Sequence, residues 1–131
     1  MAIDAGLNWL KREVQEGDVA MLLLSGHGVT DADGRYQFLP RDVDPDQLAT
    51  SAFPGREISR VTSALPGKVL VFLDTCHSGA MRSAVRDSNT DRLAIDLSQA
   101  ESGVIVFAAS TGSGYAQEDP AWGNGAFTKA I

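Results

Sequence analysis

The residues of this chain best suited to attack a carbonyl or move a proton near neutral pH are its single cysteine, Cys76, and its two histidines, His27 and His77. A lone cysteine is most often a small buried hydrophobe. Cys76, however, follows an apolar run and sits among small and polar neighbours, Thr75-Cys76-His77-Ser78-Gly79, where a thiol has little to pack against. A thiol becomes a nucleophile when a base or a neighbouring cation favours the thiolate, and an imidazole can be either. His27 stands in Gly26-His27-Gly28. The flanking glycines leave its ring uncovered and let the backbone come close to a ligand. Alone it reads as a surface or hydrogen-bonded residue; at the same sheet edge as Cys76 it reads as a base. His77 directly follows Cys76. Neighbours on extended backbone point to opposite sides, so His77 is a poor base for that thiol and reads as structural. A zinc site from His27, Cys76 and His77 would need a fourth ligand.

Asp74 ends an apolar run two residues before the cysteine. It is either a carboxylate that accepts from nearby loop amides or a partly buried anion beside the nucleophile. In the second case the cost of its burial falls when a cation arrives, such as a substrate Arg or Lys. Two other segments fail their tests. Asp31-Ala32-Asp33-Gly34 suggests a calcium loop, but with Gly34 at the sixth position the first and twelfth fall on Val29 and Pro40, which supply no carboxylate. It reads as a turn. The Gly-rich stretch 112–125 lacks a Gly-Lys-Ser/Thr element and is no phosphate cradle.

The elements that must position these residues follow from periodicity. Ile3, Leu7, Leu10 and Val14 recur at helical spacing, and Gly17 stops that helix. Residues 19–25, 68–74 and 104–110 are short apolar runs that read as strands buried on both faces. Residues 36–39 form a hairpin arm after the Asp33-Gly34 turn. Residues 40–55, with Pro40, Pro45 and Pro54, read as a long loop. Ile58, Val61 and Leu65 mark a helix ended by Pro66-Gly67; Leu93, Leu97 and Ala100 mark another, and 126–131 begins one more. Residues 77–91 read as a polar connection. Strands alternating with helices predict an α/β fold with a mainly parallel sheet. Ligands bind such sheets at the carboxyl ends of the strands. The three apolar runs end at Ser25, Asp74 and Ser110, so the cysteine and both histidines converge on one sheet edge.

Composition narrows the function. The chain has 131 residues, 17 acidic against 11 basic side chains, a net charge of −6 and 44% apolar residues, which suits one packed domain. One cysteine excludes an internal disulfide framework. The acidic balance, without a basic cluster, argues against a nucleic-acid partner and favours a basic ligand or peptide. The apolar run at residues 19–24, which no other run exceeds, is far short of the roughly 20 residues a membrane span needs. Residues 1–16 mix Asp4, Lys11, Arg12 and Glu13 and are no signal peptide. These features predict a cytoplasmic protein with no membrane partner.

Leu24-Ser25-Gly26-His27-Gly28 and Leu73-Asp74-Thr75-Cys76-His77-Ser78-Gly79 resemble the catalytic segments of caspase-like cysteine peptidases. The Asp-x-Cys-His-Ser-Gly form is closest to the metacaspase and bacterial branch. Val106-Phe107-Ala108-Ala109-Ser110 and Gly123-Asn124-Gly125-Ala126-Phe127-Thr128 resemble the family's next strand and the segment after it. The histidine precedes the cysteine by 49 positions (76 − 27). Caspases place it about 50 residues upstream, whereas papain-like enzymes reverse the order. The resemblance implies a three-layer caspase-like fold, with residues 1–131 as a partial catalytic domain lacking the family's first two strands. It implies that His27 and Cys76 are catalytic and that the N–H groups of Gly28 and Cys76 form an oxyanion hole. It further implies that Asp74 and Ser110 bind substrate, and that cleavage follows Arg or Lys with no cofactor or metal. Arg82, Arg86 and Arg92 become candidate self-cleavage sites. Without the first two strands, residues 19–25 would be an apolar edge, implying self-association or pairing with another strand. The rival reading is a catalytically inactive interaction module on the same fold.

Overall fold

A computed structural model describes residues 2–77, 93, 94, 97, 103–109 and 126–130, with the backbone alone at Cys76, His77 and Ala126. Helix α1 (Ala2–Glu13) places Asp4 in its first turn and Lys11 and Arg12 in its last, complementing the helix dipole. Its Leu7 and Leu10 are buried. Strand β1 (Val19–Thr30) runs into a tight turn and returns as β2 (Tyr36–Leu39). The Asp31 carboxylate builds that turn. Its Oδ1 accepts from the backbone N–H of Asp33 (3.0 Å) and Arg35 (2.9 Å), and its Oδ2 from Arg35 Nε (2.9 Å) and Gln37 Nε2 (3.0 Å). Burial works to raise the Asp31 pKa, but these hydrogen bonds prevail and hold it at about 2. The residues that mimicked a calcium loop are therefore a self-satisfied turn.

Residues 40–55 correct the expectation of a long loop. They form a 3₁₀ turn (Pro45–Gln47), a short helix α2 (Leu48–Ser51) and a strand β3 (Phe53–Pro54). Asp44 caps the 3₁₀ turn, its Oδ1 accepting from Asp46 N–H at 3.0 Å. Pro45 falls in the first turn, where its missing N–H costs nothing. The prolines that suggested a loop thus start one element and end another. Helix α3 (Gly55–Ser63) buries Ile58 and Val61, and Thr62 Oγ1 donates to the Ile58 carbonyl at 2.9 Å. Strand β4 (Lys68–His77), strand β5 (Val104–Ala108) and helix α4 (Ala126–Ala130) complete the described elements. Leu93 and Leu97 are helical, as their spacing predicts, and so is Ala94. Of the polar connection, His77 belongs to β4; its remaining residues, the Gly-rich stretch, Ala100, Ser110 and Arg82, Arg86 and Arg92 lie outside the described residues.

The sheet order is β3-β2-β1-β4-β5. The pairs β1/β4 and β4/β5 are parallel, while β1/β2 and β2/β3 are antiparallel. Pairing in register makes Ala20, Val69 and Val104 neighbours, then Leu22, Val71 and Val106, then Leu24, Leu73 and Ala108. These residues form one face and pack with Leu7, Leu10, Ile58, Val61, Leu65, Leu93 and Leu97 into the core. The other face corrects the prediction that the strands are buried on both sides. There Val19, Met21, Leu23, Ile105 and Phe107 are exposed, Met21 by 60% and Ile105 by 50%. Phe72 stacks on Phe107 with ring centroids 4.9 Å apart, and Phe127 of α4 approaches Phe72 at 6.3 Å. Helix α4 therefore lies on the face opposite the core, giving the three layers expected of an α/β fold. The edge expectation for residues 19–25 also changes. Strand β1 is interior to the sheet, since residues 27–30 pair with β2, but among the described residues 19–26 have a strand partner only in β4.

Candidate functional site

The apolar runs end at Ser25 and Asp74, yet both strands continue, β1 to Thr30 and β4 to His77. His27 and Cys76 thus lie within the ladder and not in loops beyond it. The reason is pairing: β2 supplies a neighbour for the polar half of β1, and that half in turn supports the end of β4. In the parallel register His27 is directly opposite Cys76, and Ser25 is opposite Asp74. Adjacent strands are about 4.8 Å apart, so the two backbones bring residues 27 and 76 within side-chain reach. Alternation assigns positions 25, 27, 74 and 76 to the face opposite the core, and positions 28 and 77 to the other. His27 is exposed there. His77 is the register partner of Gly28.

The glycines around His27 have a second cause. A Cβ at Gly28 would lie 2.5 Å from Tyr36 Oη and 2.5 Å from Tyr36 Cε2, and one at Gly26 would lie 3.1 Å from Phe38 Cζ. Two buried aromatic rings of β2 fill the space a side chain would need, and a Cβ at Gly55 would meet Tyr36 from another side, 2.8 Å from its Cδ1. These contacts key the His27 segment to the core. Burial pushes the Tyr36 phenol up to about 12, with a small opposing effect from the Thr75 side chain, so Tyr36 stays neutral at the junction of the two site strands.

Asp74 is 3% exposed. Its Oδ2 accepts from the Thr128 backbone N–H at 2.9 Å and from the Thr128 hydroxyl. Its Oδ1 is buried and has no hydrogen-bond partner among the described residues. Thr128 Oγ1 also lies 3.3 Å from Ser25 Oγ. One oxygen of Asp74 thus satisfies an amide and a hydroxyl, while the other has no hydrogen-bond partner among the described residues. An unsatisfied buried carboxylate oxygen is costly, and an incoming cation or hydrogen-bond donor relieves it.

The structure brings together His27, Gly28, Asp74 and Cys76, while Ser110 lies outside the described residues. It adds Ser25 and Thr128, which the sequence reading did not assign to the site. Ser25 carried a signal. Once His27 pairs with Cys76 in a parallel ladder, the same offset of 49 sends Ser25 to Asp74 (74 − 25). Thr128 carried none, because it meets Asp74 only through the packing of α4. Among the described residues no cluster of His, Cys, Asp and Glu could hold a metal, and no helix is long and apolar enough to cross a membrane. A family model described as the caspase domain matches residues 1–131. No curated protein and no solved structure matches the chain.

Proposed function

The chain belongs to the caspase-domain family of cysteine peptidases, and from that premise we propose that it is an endopeptidase that cuts after Arg or Lys with a His27/Cys76 dyad. The direct register of His27 on Cys76 carries this reading. The Cys76 sulfur attacks the scissile carbonyl carbon to form a tetrahedral intermediate. His27 takes up the thiol proton and delivers it to the leaving amine as the C–N bond breaks. Water then attacks the acyl-enzyme thioester, His27 again carries the proton, and the thiol returns. The N–H groups of Gly28 and Cys76 are the candidate donors to the oxyanion.

The basic preference rests on Asp74, whose buried Oδ1, without a hydrogen-bond partner among the described residues, suits a substrate cation. The protein or peptide substrate would place that cation on the same sheet face as His27. Residues 19–26 of β1, which among the described residues have a strand partner only in β4, also support pairing with another strand. A panel of fluorogenic peptides differing only in the residue before the cut tests the reading. It expects cleavage after Arg and Lys, none after Asp, and loss of cleavage in Cys76→Ala. Cleavage that survives Cys76→Ala contradicts the dyad. A folded wild-type chain that cleaves none of the panel and resists labelling at Cys76 by an arginyl chloromethyl ketone favours the inactive interaction module.

A further inference from the structure

The reading of Asp74 as the acid that meets the substrate's cation leaves open how it distinguishes the two basic side chains. We propose that Thr128 is a specificity-determining residue that limits Asp74 to a one-oxygen contact with the substrate. The inference rests on the proposed role of Asp74 and goes one step beyond it.

A carboxylate offers about four acceptor sites, two on each oxygen. Thr128 takes both sites of Oδ2, one with its backbone N–H at 2.9 Å and one with its hydroxyl. Oδ1 remains buried and unpartnered among the described residues. The Thr128 hydroxyl is itself held beside Ser25 Oγ at 3.3 Å, and Ser25 is the register partner of Asp74 across the ladder. The arrangement therefore joins β1, β4 and α4. A guanidinium gains its advantage over an ammonium by binding both oxygens of a carboxylate at once in a fork. With Oδ2 saturated, that fork cannot form. An ammonium is a point charge that needs only one oxygen and loses nothing. Thr128 thus narrows the advantage of Arg over Lys, and its hydroxyl is the group responsible.

Removing the hydroxyl while keeping the shape opens one site on Oδ2. Thr128→Val is expected to raise the Arg/Lys ratio of kcat/KM by about tenfold, the worth of one added charge-assisted hydrogen bond. The gain should appear mainly as a lower KM for the Arg peptide. Thr128→Ser keeps the hydroxyl and should restore the wild-type ratio. A purely structural role would depress both substrates equally and leave the ratio unchanged.

Binding of N-acetyl-arginine amide and N-acetyl-lysine amide, followed by NMR on the full chain, gives the same comparison without turnover, with Asp74→Asn as the control. Selective strengthening of the arginine amide in Thr128→Val, abolished by Asp74→Asn, supports the proposal. Equal ratios in wild type and Thr128→Val, with Asp74→Asn still weakening both amides, overturn the role of Thr128 and leave that of Asp74 standing. Binding that ignores Asp74→Asn overturns both.

Discussion

The two faces of the sheet are built from the same three parallel strands and do opposite work. On the core face, Val69, Val71 and Leu73 are fully buried and pack in one cluster with Leu7 and Leu10 of α1 and Ile58 and Val61 of α3. On the other, Val19, Met21 and Leu23 are exposed along β1, and the same line of positions ends in Ser25 and His27. Beside them on β4, Phe72 leads to Asp74 and Cys76. Strand alternation lets one segment be an anchor and a reaction surface at once. A shift of one residue in register would exchange them. Tyr36 and Phe38, packed under Gly28 and Gly26, hold the histidine strand against such a slip.

That comparison can be broken by matched truncations. Leu73→Ala removes a fully buried core side chain next to Asp74 and should cost about 2–5 kcal/mol in denaturant unfolding. A cost near zero would show that the packed face does not carry the fold. Gly28→Ala forces a Cβ against the Tyr36 ring and hydroxyl and should cost about 1–3 kcal/mol. Pairing it with Tyr36→Ala, which vacates that space, should make the added methyl far less harmful. If the two substitutions simply add, the close approach is not the cause.

The Asp31 turn, at the far end of the β1/β2 hairpin, gives a smaller and pH-dependent effect. Its folded pKa of about 2 lies below the ordinary value of 3.8, so its contribution is complete above pH 3.8 and disappears as pH falls through about 2. Allowing for solvent screening of this partly exposed pair, Asp31→Asn should cost about 1 kcal/mol at pH 7. The difference from wild type should vanish in acid-unfolding measurements toward pH 2; a difference that persists there would contradict the assignment. Smallest of all, Met21→Ala on the open face should change stability by less than about 0.5 kcal/mol. A larger loss would mean that this face is packed in solution.

Much of the molecule could be read from the sequence because the controlling features are local. Apolar runs placed all three parallel strands, and helical spacing placed α1, α3 and the turn containing Leu93 and Leu97. The convergence of Cys76 and His27 on one sheet edge followed from the ends of the apolar runs in a parallel sheet. What escaped depends on partners distant in sequence. The polar ends of β1 and β4 looked like loops because their strand conformation comes from pairing with β2 and with each other. Pro45 looked like a loop former because its fit to a helical first turn depends on the Asp44 cap. Thr128 was invisible because a threonine declares nothing until a helix is laid on the carboxylate it binds.

The central claim is that His27 and Cys76 act as one chemical unit, and a double-mutant cycle on kcat/KM with an Arg peptide tests it most directly. Groups that work as a unit are strongly non-additive. His27→Ala and Cys76→Ala should each lose activity by more than about a thousandfold, and the double variant should lose no more than the worse single one. A His27→Ala enzyme that still cleaves near the wild-type rate, or losses that multiply in the double variant, would contradict it.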